Sequence, residues 1–419
     1  MAKTKYTTHL GMVDILPDDS PKWRALENII HEEAARFNFE EIRTPIMEQT
    51  ELIKRGVGQL TDIVTKEIFA FTKGDSNYVL RPELTAPVVR SYVQNHLDQR
   101  GGSQKLYYIG PMFRAERPQK GRQRQFHQFG VEVIGSNNPV ADVECIAFMM
   151  RIYQRIGIKN FNLKLNSVGD PESRENYKSV LKDYLQPHFE KLSELSQKRL
   201  DKNPMRILDS KEKEDQEFIQ NAPVISDHLN EESKEHFQQV CEMLESLDIE
   251  FTLDPLLVRG MDYYTRTAFE LTSPDLGSQD ALAGGGRYDL LVEEIGGKPT
   301  PAVGFAAGME RLFIACEELD IVLAEPKSVD VFIVSLGEKA RKWALKTLPE
   351  LRIKGISATM DYLDRSMRAQ MKDANRENAS YSLIVGDNEL TEGKFTLRNM
   401  KESDEAQLTL NEIIAKLSQ

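Results

Sequence analysis

Apolar positions recur at helical spacing early in the chain, at Trp23, Leu26, Ile30, Ala34 and Phe37. Ser20-Pro21 precedes them, an N-cap followed by proline at the first helical position. An extended segment, FEEIRTPIMEQTEL, comes next, and Pro45 discourages a central strand there. EIFAFTKGDSNYVLRPE predicts two short strands about a Gly74-Asp75 turn. Helical periodicity returns over 85–96. Two alternating strands follow, KLYYIGPMF and QFHQFGVEVIG, and 142–156 is an amphipathic helix. Strand-like patterning resumes with VRGMDYYTRTAFELT and ALAGGGRYDLLV, and PAVGFAAGMERLFIACEEL predicts a strand running into a buried helix. Few helices separate these strands, so the expected class is α+β: an antiparallel sheet with flanking helices.

Two stretches depart from this pattern. Residues from about 170 to 250 are mostly helical in pattern, poor in aromatics, and richer in acids than bases by roughly two to one. They are expected to form an insertion, either a solvated helical spacer or an element that grips substrate. Composition shifts again at 323–328. Beyond it DVFIVSL, GISATMDY and YSLIVGD alternate with helical runs, a small α/β domain. The expected domains are thus 1–325 and 328–419.

The chain has 419 residues, 40% of them apolar, which suits two or three domains with cores of their own. A net charge of −12 argues against attraction of nucleic acid over the whole surface, so any such contact needs a local basic patch. Three cysteines, Cys145, Cys241 and Cys316, lie far apart without CxxC spacing, which disfavours disulfide scaffolds and cysteine-rich zinc sites. No apolar run suits a signal peptide or a bilayer span, so a soluble cytoplasmic protein is expected, without membrane contact.

The basic patch is found in GPMFRAERPQKGRQRQFHQFG. Arg114, Arg117, Lys120, Arg122 and Arg124 crowd one hairpin tip, relieved by Glu116. Guanidinium forks match phosphate, so the loop suggests a polyphosphate, a nucleic acid or both. Arg114, at a strand end, suits an α-phosphate; Glu116 could accept from an adenine amino group and Phe126 could stack on the base. In LVRGMDYYTRTAFE, Arg259 sits within an apolar, aromatic strand, which suggests an anionic ligand or an ion pair with Glu83 or Glu132. Strand alternation sends only one of Tyr263 and Tyr264 toward a pocket. Three glycines in GGGRYD allow close backbone approach to a ligand, or a tight turn. Arg311 falls in the first turns of an apolar helix, where the helix dipole disfavours a cation; a bound polyphosphate or a base to stack on explains it better, with an interhelical salt bridge as the plainer role. In RPELTAP, Glu83 and Thr85 suit an ammonium group, with a helix cap by Thr85 as the plainer role.

In order, these segments resemble the histidyl-tRNA synthetase family of class II aminoacyl-tRNA synthetases over nearly the whole chain. FEEIRTPIMEQTELI resembles motif 1, the arginine-rich hairpin motif 2 and GFAAGMERL motif 3; LVRGMDYY and GGGRYD resemble the two histidine-specific motifs. The resemblance implies histidine activation with ATP and transfer to tRNA(His), Mg2+ travelling with the ATP phosphates, no protein-bound metal, and a homodimer formed through motif 1. It implies Arg114 and Arg259 as catalytic groups at the α-phosphate and the histidine carboxylate. Glu116, Arg122, Phe126 and Arg311 would hold ATP. Glu83, Thr85 and Gln128 would bind the histidine amino and carboxylate groups, with Tyr263 and Tyr288 also in the histidine pocket. Glu132 and Tyr264 would hydrogen-bond the imidazole. Arg117 and Gln119 would meet the acceptor end of tRNA, and 328–419 would bind the anticodon. Two departures stand out: Leu84 where glycine is common in RPEGT, and Gln123 where an aromatic is common in GRYRQF. Non-catalytic, histidine-sensing paralogues share the fold but typically lose motif arginines or the last domain; Arg114, Arg259, Arg311 and the last domain are all present.

Overall fold

The computed structural model describes residues 5–58, 61, 63–276 and 280–418. It divides into two compact units: the chain up to Ile15 with Lys22–Leu323, and Leu16–Pro21 with Ala324–Gln419.

In the larger unit the helices are α1 (Ser20–Arg36), α2 (Thr50–Val57), α3 (Thr85–Gln94), α4 (Val140–Ile156), α5 (Pro171–Leu185), α6 (Glu194–Leu200), α7 (Lys213–Gln220), α8 (Glu231–Ser246), α9 (Leu291–Glu294) and α10 (Met309–Glu318). The strands are β1 (Glu40–Glu41), β2 (Met47–Gln49), β3 (Phe69–Lys73), β4 (Ser76–Leu80), β5 (Gln104–Phe113), β6 (Gln125–Ile134), β7 (Asn162–Ser167), β8 (Thr252–Leu253), β9 (Thr265–Thr272), β10 (Ala281–Arg287) and β11 (Ala302–Gly308). Eight form one sheet in the order β1-β5-β6-β11-β10-β9-β7-β8. The six central strands are antiparallel, as the scarcity of crossover helices predicts. The two-residue edges β1 and β8 pair parallel, which makes the sheet mixed. A small sheet, β2-β4-β3, contains the Gly74-Asp75 hairpin, and the strand after Pro45 takes its edge.

The pleat sorts the sheet's two faces. Odd-numbered residues of β6 and β11 (Phe129, Val131, Val133, Val303, Phe305, Ala307) enter a core built with α1, α4 and α10. Even-numbered residues face the other way, where registered rows run across the sheet. One row is Gly130–Ala306–Gly284–Glu270, the next Glu132–Gly304–Gly286–Ala268. The glycines and arginine of GGGRYD therefore belong to a central strand rather than a turn. Each glycine has a steric reason. A Cβ at Gly284 would lie 2.2 Å from Arg259 Nη2, at Gly285 2.2 Å from the Gly304 carbonyl oxygen, and at Gly286 2.9 Å from the Tyr264 ring. Next to them Arg287 is fully buried, pairing with Asp142 of α4 at 2.5 Å and with Asp289 at 3.1 Å.

The acidic stretch after β7 does not behave as a solvated spacer. Val240 and Leu244 of α8 enter the main core. The rest of the stretch buries Tyr177, Leu181, Phe218 and Ile219 in a cluster continuous with Tyr263, Tyr264 and Tyr288. Its acids lie mainly on the outer faces of the helices, so charge concealed an apolar stripe at helical spacing.

The smaller unit holds β12 (Val329–Ser335), α11 (Glu338–Ile353), β13 (Ala358–Met360), α12 (Met367–Arg376), β14 (Ala379–Val385), α13 (Asp387–Glu392), β15 (Phe395–Asn399), β16 (Glu405–Leu408) and α14 (Leu410–Leu417). Its sheet, β13-β12-β14-β15-β16, is parallel over the first three strands, as the alternating pattern predicts. β15 and β16 add an antiparallel edge that their short, polar sequences did not signal.

Candidate functional site

The even face of the sheet floors a cleft of about 480 Å³. Glycines and alanines form the middle of that floor, and longer side chains rise around it. β6 contributes Phe126 and Gln128, two residues apart and therefore on one face. β9 contributes Glu270 on the opposite side, β10 runs into Tyr288, and α10 brings Arg311 in its first turn.

The motif arginines meet here. Arg114 follows directly on β5; its Nε donates to the Pro82 carbonyl at 3.1 Å and its guanidinium lies 5.2 Å from the Phe126 ring centroid. Burial holds it below the usual arginine range. Arg122 and Glu116 line the same rim, 3.4 Å apart. Burial, and then Arg122, hold Arg311 below the usual arginine range too. A desolvated cation made still less comfortable by a second cation is an anion site in electrostatic terms. Arg117 and Gln119 stand apart from the cleft, exposed on the hairpin tip, where Gln119 and Arg122 exchange backbone hydrogen bonds.

Arg259 also reaches the cleft, with an unexpected partner. Nη1 donates to Glu270 Oε2 at 2.7 Å, not to Glu83 or Glu132, and the guanidinium lies 5.9 Å from the Tyr264 ring centroid. Its Nε is buried with no hydrogen-bond partner. Arg259 is carried by an irregular segment ahead of β9 rather than by a strand. Strand alternation therefore does not apply, and the expectation that only one tyrosine faces a pocket is corrected: Tyr263 and Tyr264 both line the cleft, with ring centroids 4.7 Å apart.

Glu83 and Thr85 line the far end, with exchanged duties. The Glu83 carboxylate, not Thr85, caps α3, accepting from the backbone N–H of Thr85 at 2.6 Å and Ala86 at 2.9 Å. Burial pushes its pKa up. The Thr85 hydroxyl donates to Glu132 at 2.8 Å. Glu132 lies beneath the lining, fully buried, and also accepts from Tyr288 at 2.5 Å and Tyr108 at 3.2 Å. Burial pushes its carboxyl up to about 8, against the three hydroxyls that favour the charge. A Cβ on Gly304 would fall 1.8 Å from this carboxylate, so glycine is obligatory there. Leu84, the visible departure from the motif, packs into the apolar core, whereas Gln123 lines the cleft.

Five charged cleft residues escaped the sequence reading: Glu67, Arg206, Asp209, Glu270 and Glu310. Glu270 left a trace, a lone acid inside the apolar run TAFELT. Arg206 and Asp209 left none, since they belong to a charged helical stretch and only the fold brings them to the wall.

The model of one protein family, described as histidyl-tRNA synthetase, matches residues 11–312. The chain belongs to the histidyl-tRNA synthetase family. A second family description, anticodon binding domain, matches 330–419. A histidine–tRNA ligase of Chloroherpeton thalassium is 49% identical over 417 residues, covering 99% of this chain and 98% of that protein. The apo crystal structure of S. aureus histidyl-tRNA synthetase superposes with a TM-score of 0.84 at 41% identity, covering 99% of this chain and 100% of that one. A Bacillus halodurans structure described as an ATP phosphoribosyltransferase regulatory subunit/histidyl-tRNA synthetase matches with a TM-score of 0.66 at 24% identity, covering 89% of this chain and 97% of the other. That likeness is one of fold, so fold alone does not separate a synthetase from a regulatory relative.

Proposed function

We propose that this chain is an ATP-dependent histidine–tRNA ligase, working in the cytoplasm as a homodimer. One observation carries the reading: Arg114, Arg259 and Arg311 converge on a single glycine-floored cleft that also contains Glu83, Gln128 and Tyr264. A regulatory protein that only senses histidine has no need of three arginines aimed at a polyphosphate.

In the proposed reaction the histidine carboxylate attacks the α-phosphorus of ATP. A P–O bond forms, the bond to the departing pyrophosphate breaks, and histidyl-adenylate results. The terminal ribose hydroxyl of tRNA(His) then attacks the acyl carbon, and AMP leaves. Substrate supplies the nucleophile in the first step, so the protein contributes position and charge. Arg114 and Arg259 flank the α-phosphate and histidine carboxylate as the catalytic groups. Arg122 and Arg311 hold the distal phosphates, Glu116 accepts from the adenine amino group, and Phe126 stacks on the base. Mg2+ arrives on the ATP phosphates; among the described residues no cluster of three His, Cys, Asp or Glu is placed to hold a metal by itself.

Glu83, Thr85 and Gln128 take the histidine amino and carboxylate groups. Tyr264 and Glu132 take the ring nitrogens, with Tyr263 and Tyr288 closing the pocket. A ring without those nitrogens would strand buried polar groups, which supports selection without editing. Arg117 and Gln119 reach the acceptor end of tRNA, and the domain over 328–419 reads the anticodon. The dimer reading draws support from a groove of about 710 Å³ lined by Pro45, Glu48 and Leu52 of the motif 1 region, and from Ile46 and Met47, 44% and 49% exposed beside it. Among the described residues no helix is long and apolar enough to cross a membrane.

The test is ATP–pyrophosphate exchange across an amino-acid panel, followed by tRNA charging. Exchange with histidine alone, and charging of tRNA(His), is the expected result. Exchange with proline or threonine instead, or none with any amino acid, overturns the proposal.

A further inference from the structure

The insertion grips the segment that carries Arg259. The helical turn Pro204–Ile207 brings Arg206 to the cleft wall, where Nη2 donates to the Gly260 carbonyl at 2.7 Å and pairs with Asp262 Oδ1 at 3.2 Å. Asn203 Nδ2 donates to the same oxygen at 3.2 Å. From α5, Arg174 Nη1 donates to the carbonyls of Asp262 at 3.2 Å and Tyr264 at 2.6 Å. Every second residue from 260 to 264 thus has its carbonyl held by an arginine of the insertion. On the other side the segment leans on α2: Asp262 N–H donates to the Val57 carbonyl at 3.2 Å, and a Cβ at Gly58 would fall 2.4 Å from the Asp262 carboxylate.

These residues lie outside helix and strand, and a void of about 20 Å³ separates them from the insertion, lined by Arg174, Asn203, Arg206 and Arg259 among others. Beside the apolar packing of Tyr263 and Tyr264 against the insertion, the junction therefore carries a set of directional charge-assisted bonds, and each bond breaks separately. Arg259, Tyr263 and Tyr264 all hang from this segment, so its placement sets both a charge at the α-phosphate and two walls of the histidine pocket.

We propose that Arg206, assisted by Arg174, is a positioning residue: the insertion latches segment 258–264 in the conformation that binds histidine. The inference rests on the function proposed above and gives the insertion a part in amino-acid selection. Loss of the latch lowers the population of the binding-competent segment and weakens apparent affinity by the same factor.

Arg206→Ala in the full chain is expected to raise the KM for histidine in pyrophosphate exchange about tenfold, the scale of one charge-assisted hydrogen bond, and to raise the KM for ATP less, because Arg122 and Arg311 at the distal phosphates are not carried by this segment. Amide hydrogen exchange over 258–264 is expected to quicken while that of β5 and β6 stays as it was. Asp262→Asn, which removes the charge from the other side, is expected to act alike, and the double variant to be no worse than the worse single. A wild-type KM for histidine with unaltered amide exchange in Arg206→Ala overturns the latch; should that variant fail to fold, Asp262→Asn decides on the same two readouts. Amide exchange needs no activity, so failure of the latch and failure of the synthetase proposal are told apart.

Discussion

Histidine binding is expected to expel a proton from Glu132. The unliganded carboxyl sits near 8, raised chiefly by burial, with no cation among its hydrogen-bond partners. At pH 7 about nine-tenths of it is protonated, and at pH 8 about half. An imidazole N–H donating to it, or any donor network tightened through Tyr288 and Thr85, favours the carboxylate and lowers that pKa. The sign follows from linkage: a group that loses its proton on binding makes affinity rise with pH until the free-state pKa is passed. Between pH 7 and 8 the dissociation constant for histidine falls roughly fivefold on this account and then levels off. Calorimetry at pH 7 in phosphate and in Tris, whose ionisation heats differ, should register close to one proton released per histidine bound. Glu132→Gln, measured through the same pH series, subtracts the ligand's own titration and should lose both the release and the slope. If that variant keeps the wild-type pH dependence, or the wild type releases no proton, Glu132 has no part in ring recognition.

Gly284→Ala places a Cβ whose three nearest atoms all belong to the mobile guanidinium end of Arg259, so melting should hardly change while histidine-dependent exchange falls about a hundredfold; equal activity would remove the Arg259–Gly284 contact from the argument. Gly285→Ala meets the Gly304 carbonyl and the Phe305 and Phe269 side chains instead, and should cost about 1–3 kcal/mol of stability by overpacking, read by thermal melting. Arg259→Ala should cut exchange by about 10²–10³ without exposing the core, and near-normal exchange would take Arg259 out of the mechanism. Arg287→Met leaves the buried Asp142 carboxylate without its cation, with only His236 at 3.4 Å beside it, and should destabilise by about 3–5 kcal/mol, much of it recovered by adding Asp142→Leu; a melting curve like the wild type's would refute the pairing.

The legible parts of this molecule were those with strong local signals. Alternating apolar residues fixed the β5–β6 hairpin, and clustered arginines with GGG and RGMDYY marked the cleft before its shape was known. What was hidden depended on distant segments meeting. Glu270 as the partner of Arg259, and Glu83 rather than Thr85 as the cap of α3, are choices between side chains of equal chemical merit, settled only by the backbone path. The depth of Glu132 was equally hidden, because strand alternation gives the face but not how much lies above it. Arg206 was the hardest to foresee: its own neighbourhood is polar and helical, and its significance comes from a loop some fifty residues downstream.

The cleft's hollow owes its existence to missing side chains, not to a gap between movable bodies. Its base is a hydrogen-bonded ladder, the stiffest element available, whereas its roof is a tethered loop. A small molecule entering there meets one unyielding surface and one compliant one. Inhibitors of this site would draw tightness from a flat fit to the ladder, and discrimination among related enzymes from how each one's loop is tied down.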